Sequence, residues 1–360
     1  ADDSDYAASK ATQYQYLFGD AFLVAPVYQD TEMDEETGND VRNDIFLPGD
    51  ENDTWIDYFT GEQYKGGQII SNFDAPLWKL PLFVRGGSII PMYEENNNPV
   101  AISEDNPDGL DKTKRIVEFY PQGTTDYTLY EDDGMTANST ITEDDDYGTI
   151  NSINYGDHVE THFTSAVNGD KAVLTAEASK GTYEGYDSNR QTKFVVNVSK
   201  KPTSVQINGA AGNEVASLDA FEKLGENESG WFYDAEPEMN KYAGDEDFAN
   251  MHIINAPKVY VKFAKTDVNK NAQTATINGF ENTQASGKDV LVESIPAPVL
   301  SAPAEDKITS SSIELSWPAV DGATGYDVMV GSQIYHTEKP KLKLSDQPFN
   351  TAFTFKARTR

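Results

Sequence analysis

The chain has no cysteine. Disulfide bonds, thiolate nucleophiles and cysteine-ligated zinc are therefore excluded together. Basic residues are scarce: 28 Lys and Arg stand against 60 Asp and Glu, a formal net charge of −32. Such a field repels a phosphate backbone, so nucleic acid is not expected as a partner, and anionic membrane surfaces are disfavoured for the same reason. Long apolar runs are missing too, and no stretch approaches the roughly 18 residues that argue for a membrane span. The amino terminus, Ala1-Asp-Asp-Ser, offers neither a basic n-region nor an apolar h-region, so no signal peptide is read there. The leader of an exported parent is expected upstream. Of the four histidines, His158 and His162 share one face of an expected strand but stand about 13 Å apart, too far for one metal.

What is present favours strands. With 360 residues, 38% of them hydrophobic, the chain suits two or three domains with cores of their own. Tyr (19) and Phe (17) are plentiful, and β-branched residues recur in short alternating runs. Residues 5–18 carry Tyr6, Ala7, Ala11, Tyr14 and Leu17 near helical spacing, with Ser4 or Asp5 as N-cap, which predicts one short helix. From 41 to 102, short strands punctuated by turns predict a sandwich. A polar, turn-rich connector at 94–112 leads into a second strand-rich region, with Asp132-Asp133-Gly134 as a hairpin signal. Between 219 and 250 the pattern weakens, predicting a functional loop or a local helix plus loop.

Three segments carry a resemblance. Tyr14-Gln-Tyr-Leu-Phe-Gly-Asp-Ala-Phe-Leu-Val-Ala-Pro-Val27, Trp55-Ile-Asp-Tyr-Phe-Thr-Gly-Glu62 and Phe73-Asp-Ala-Pro-Leu-Trp-Lys-Leu-Pro-Leu-Phe-Val-Arg-Gly-Gly-Ser-Ile-Ile-Pro91 together resemble the region after the catalytic barrel of glycoside hydrolase family 31. Tyr130-Glu-Asp-Asp-Gly134, Gly181-Thr-Tyr183 and Lys201-Pro-Thr-Ser-Val-Gln-Ile-Asn-Gly209 resemble that family's distal carboxy-terminal domain. The tail resembles a fibronectin type III domain, with Trp317 facing Tyr326 as its core pair, but Phe353 stands where that family places its corner tyrosine. The tail is also shorter than the roughly 100 residues of a complete seven-stranded sandwich, so both ends are expected to cut through domains.

The resemblance implies mainly β architecture: tandem antiparallel β-sandwich domains with a short helical remnant of a (β/α)8 barrel. It divides the chain into 1–20 (end of the barrel), 21–112 (proximal sandwich), 113–292 (distal sandwich) and 293–360 (incomplete fibronectin-like domain). It implies a secreted or cell-surface bacterial parent that hydrolyses or transfers α-linked sugars with retention, an α-glucosidase, α-N-acetylgalactosaminidase or α-glucosyltransferase. The parent's substrate is then an oligo- or polysaccharide or glycoconjugate, and the partner of this region is the catalytic barrel of the same polypeptide. A different class remains open: a stand-alone carbohydrate-binding or adhesion protein built from β domains.

Catalysis in that family needs two carboxylates, about 5–5.5 Å apart in a retaining enzyme. The resemblance places them in barrel motifs built around Trp-Asn-Asp-Met-Asn-Glu and His-Xaa-Gly-Asp. Neither motif occurs here, so no catalytic residue is assigned. Two acidic runs, containing Asp132 and Asp133 and then Asp144 and Asp146, offer oxygen ligands for calcium, but neither has EF-hand spacing and each also reads as a turn or solvated loop. No other cofactor is implied. Trp231 and Tyr233 are candidates for sugar contact, against the alternative that three adjacent aromatics fill a core and its edge. Trp55, Trp78 and Trp317 read as core.

Overall fold

A computed structural model describes residues 12–35, 38–134, 140–144, 149–154, 156–245, 251–281, 295–348 and 351–360. The described elements are almost all strands, as expected. The one α-helix among them, Leu218–Glu222, starts where the Ser217 side chain accepts a hydrogen bond from the Ala220 N–H at 3.2 Å. It starts one residue before the weakly patterned 219–250 stretch and runs into it. At the amino end the expected helix is not continuous. Thr12–Tyr14 is a single 3-10 turn, and Tyr16–Phe18 is a strand paired with Phe22–Val24 through Gly19 at φ 61°. Residues 5–11 lie outside the described residues.

The chain forms two compact units: Ala1–Gly86 with Ser286–Arg360, and Gly87–Ala285. The division falls at the glycine pair because the Ile89–Tyr93 strand pairs with Lys114–Phe119, across the polar connector. Gly87 adopts φ 87°, and a Cβ there would meet the Thr125 side chain at 2.8 Å, so the tight crossing needs glycine.

In the first unit, one sheet runs in the order Tyr16–Phe18, Phe22–Val24, Leu82–Arg85, Thr54–Asp57, Gln63–Lys65. A second sheet joins early and late sequence: Phe355–Thr359, Tyr326–Val330, Gln333–Thr337, Gln68–Ser71, Ile45–Leu47. Gln333–Thr337 lies parallel to Gln68–Ser71, with Tyr335 opposite Ile69 and Thr337 opposite Ser71. Successive side chains in a strand point to opposite faces. Ile70 accordingly enters a core with Leu23, Trp55, Phe73 and Phe83, whereas Ile69 enters one with Trp317, Tyr326, Val328 and Leu342. One strand thus walls two cores. The expected Trp317–Tyr326 pair is present, with ring centres 5.3 Å apart at 76°. Asn72, at φ 54°, locks the junction by donating to the Thr337 hydroxyl at 2.8 Å and the Lys341 carbonyl at 3.0 Å.

The second unit is a sandwich in its own right. One sheet orders Ile89–Tyr93, Lys114–Phe119, Asn189–Asn197, Lys258–Lys262, Gly230–Asp234; the other contains Thr124–Glu131, Val159–Asn168, Lys171–Ala176, Gln273–Asn278 and Ser204–Ile207. Their inner faces enclose Val117, Phe119, Phe163, Phe194, Leu174 and Ile277 among others. Phe194 is the centre, edge-on to Phe119 and to Phe263 at 4.8 Å each.

Candidate functional site

A surface in the first unit departs from what water favours. Pro76 to Lys79 form a turn closed by the Lys79 N–H on the Pro76 carbonyl at 2.7 Å. Its tip carries Leu77, 79% exposed, and Trp78, 38% exposed, with Leu80 exposed just after it. Lys79 points the other way. Its ammonium meets the Asp57 carboxylate at 2.6 Å, with both side chains buried, and lies 4.3 Å from the centre of the Phe73 ring. A solvated turn would put the lysine out and the leucines in. Here the polarity is inverted, and the inversion is held by an ion pair that is expensive to bury unless well partnered.

Asp57 also shapes the neighbouring loop. Its carboxylate accepts from the Phe59 N–H at 3.0 Å, and its backbone brackets the turn by accepting from Gly61 and donating to Glu62. That turn sets Phe59 beside the Trp78 ring and Tyr58 beside Phe59. A continuous chain of rings results: Phe18 to Phe22 at 6.5 Å, Phe22 to Tyr58 at 6.3 Å, Tyr58 to Phe59 at 5.4 Å and Phe59 to Trp78 at 5.6 Å. Phe18 is 68% exposed, and all three residues of its edge strand are exposed. Single exposed apolar residues are ordinary, but contiguous ones mark an interaction surface. Trp78, read from sequence as core, belongs to this surface. Its signal was the sequence Pro76-Leu-Trp-Lys-Leu-Pro81, a lone lysine among apolar residues between two prolines.

The residues singled out from sequence are scattered. Trp231 is 3% exposed within the core of the second unit, its indole N–H on the Gly212 carbonyl at 3.3 Å. No ring face is left for a sugar. Tyr233, two residues along the same strand, points to the same side and packs on that core, partly buried. Asp132 is exposed and its carboxylate accepts from the Gly134 N–H at 2.8 Å, an Asx turn at the tip of the Thr124–Glu131 strand. Asp133 is half-buried beside it. Asp144 ends the Thr140–Asp144 strand, which pairs with Thr149–Asn154, and Asp146 lies outside the described residues. Among the described residues no three His, Asp or Glu side chains converge as a metal site.

A model of the glycosyl hydrolase family 31 C-terminal domain matches residues 2–90, the stretch that builds this aromatic surface. Residues 2–90 thus correspond to a family 31 carboxy-terminal domain. An isomaltosyltransferase of Sporosarcina globispora is 30% identical over 221 residues, covering 61% of this chain and 16% of that protein. An alpha-xylosidase of Saccharolobus solfataricus is 32% identical over 122 residues, covering 34% of this chain and 14% of that protein. Among solved structures, a Flavobacterium johnsoniae GH31 dextranase complexed with glucose matches with 23% identity and a TM-score of 0.49, covering 74% of this chain and 26% of that one. The chain spans less than a fifth of the length of these two curated relatives. No helix among the described residues is long and apolar enough to cross a membrane.

Proposed function

We propose that this chain is an accessory, non-catalytic region of a secreted family 31 enzyme that acts on α-glucosidic bonds by retaining hydrolysis or transfer. In this reading the ring chain from Phe18 to Trp78 seats against the catalytic barrel of the same polypeptide. The observation that carries it is the inverted turn, with Lys79 buried on Asp57 while Leu77 and Trp78 face outward. An apolar partner removes that surface from water, contributing about 1.5–3 kcal/mol for each large side chain fully covered. The relatives' names, a transferase and a glycosidase, support the reaction class. The carboxy-terminal strands, fibronectin-like in their Trp317–Tyr326 pair, brace the same unit through the Gln68–Ser71 strand.

Two substitutions, Leu77→Asp and Trp78→Asp, test this in both contexts. In this chain alone each should leave the melting temperature almost unchanged, because surface changes usually stay within about 0.5 kcal/mol. In the full-length parent each should lower it by several degrees and reduce hydrolysis of aryl α-glucosides. Equal tolerance in both contexts would show that the surface is bare in the parent and sink the docking. A parent inactive on aryl α-glucosides would sink the reaction.

A further inference from the structure

The second unit contains a cleft of about 310 Å³ beside the Tyr130-Glu-Asp-Asp-Gly134 motif. We propose that this cleft is a binding site for a neutral saccharide.

Its floor is a desolvated charge network. Glu131, 9% exposed, receives Arg190 Nη1 on both carboxylate oxygens, at 2.9 and 3.1 Å, and the Tyr93 hydroxyl at 2.7 Å. Burial and the Glu131 charge raise the Tyr93 phenol, so it stays a donor. Arg190 is itself fixed by its Nε on the Asp187 carbonyl at 2.9 Å and by the Tyr186 ring, 4.5 Å from its guanidinium. Buried ion pairs are weak contributors to stability. This one instead fixes the orientation of the groups around it.

Arg115 backs the wall of the cleft from inside the sandwich, its guanidinium 5.2 Å from the centre of the Phe163 ring. It lines the cleft and is 2% exposed, yet no carboxylate lies within ion-pair distance among the described residues. Its bonds are long, 3.4 Å to Thr161, 3.3 Å to Thr192 and 3.5 Å to Gln273, and its Nε has no partner. Gln273 Nε2 is likewise unpartnered. Burial, with the Arg190 charge beside it, pushes Arg115 down to about 10.

The walls suit a pyranose. Tyr130 is 40% exposed at the rim, backed by the His158 ring at 4.8 Å and 22°. Tyr183 closes another side, and Gly181 dictates where its loop runs: at φ 101° a Cβ would sit 2.0 Å from the His158 carbonyl oxygen. Met92 and Leu129 supply apolar contact. Rings offer faces to sugar C–H groups, while the Lys112 ammonium and the Glu131 and Asp132 carboxylates of the lining supply donors and acceptors for hydroxyls, which both donate and accept. The lining sets Lys112 and Arg115 against Glu131 and Asp132, a balance that suits a neutral ligand, and the net charge of −32 disfavours an anionic one. The volume sits at the small end of ligand sites, enough for one or two rings.

The identity of the sugar, an α-linked glucose oligomer, rests on the function proposed above; the site does not. Titration calorimetry of the whole chain against maltotriose, isomaltotriose, cellotriose and glucuronate separates the two. Saturable binding of maltotriose or isomaltotriose is expected, weakened about tenfold in Tyr130→Ala and in Asp132→Ala. Tyr242→Ala, an exposed residue outside the cleft, should bind as wild type, and unchanged melting of all three variants verifies their folding. Cellotriose as the only ligand, lost in the same two variants, would keep the cleft and overturn the α-glucoside reading. No saturable heat at tens of millimolar, undiminished binding in both cleft variants, or glucuronate as the tightest ligand would overturn the site.

Discussion

The two units use the same material differently. The second, drawn from one continuous stretch, closes its core between two sheets and pairs interior charges, Arg190 on Glu131 and Lys258 on Glu118. The first is assembled from two stretches of chain, shares one strand between two cores, and leaves linked rings in the open. Both are β-sandwiches by sheet order, so architecture alone does not say which is self-sufficient. Exposed apolar surface and chain continuity do.

The sharpest break of this contrast should come from the second unit's charges. Replacing Glu118 by alanine leaves the buried Lys258 ammonium without its partner, at a cost of about 3–5 kcal/mol. Differential scanning calorimetry should show one transition falling steeply while the first unit's transition stays in place. A common shift of both would deny their independence. The next test addresses the shared strand. Ile69→Ala and Ile70→Ala open cavities in different cores, each costing about 2–5 kcal/mol. Both should lower the same transition; if Ile69→Ala moved a third, separate one, the carboxy-terminal strands would be a free-standing domain.

The smallest effect expected lies at Asp44. Burial pushes its carboxyl up to about 6, against the attraction of Arg42 and with repulsion from Asp346. The folded state therefore holds the proton more tightly than the unfolded chain, whose carboxyl titrates near 3.9. Its contribution is full below about pH 4 and lost as pH rises through about 6. Asp44→Asn, tolerated at φ 57° because asparagine visits the left-handed region, should stabilise the first unit by on the order of 1 kcal/mol at pH 7.5 and by nothing measurable at pH 4. Equal melting of variant and wild type at pH 7.5 would refute the raised carboxyl.

Much of the fold was legible because alternation is a local signal. The strands around Ile116, Phe194 and Val259, the Trp317–Tyr326 pair and the Gly86-Gly87 break all follow from neighbouring residues. The parallel register of Tyr335 on Ile69 does not, since nothing near either residue specifies a partner so distant in sequence. The site was less legible for the same reason. Trp231 and Tyr233 share a parity that turns both toward the core, whereas Phe232 between them stacks on Tyr260. Parity shows on paper, but which parity faces inward depends on the opposite sheet. Trp78 misled in the other direction, because tryptophan in an apolar run reads as interior until Lys79 is found buried beneath it. Arg115 and Tyr93 gave no signal, as each is an isolated polar residue in a strand.

The joint between Asn72 and Thr337 spans 265 residues of chain. On a ribosome adding about 5–20 residues per second, the Gln68–Ser71 strand emerges some tens of seconds before its parallel neighbour exists. During that interval Ile69 has no lid, while the described strands of the second unit are delivered in full. The order of birth is thus reversed from the order of completion: the second unit can finish before the first, although part of the first is made ahead of it.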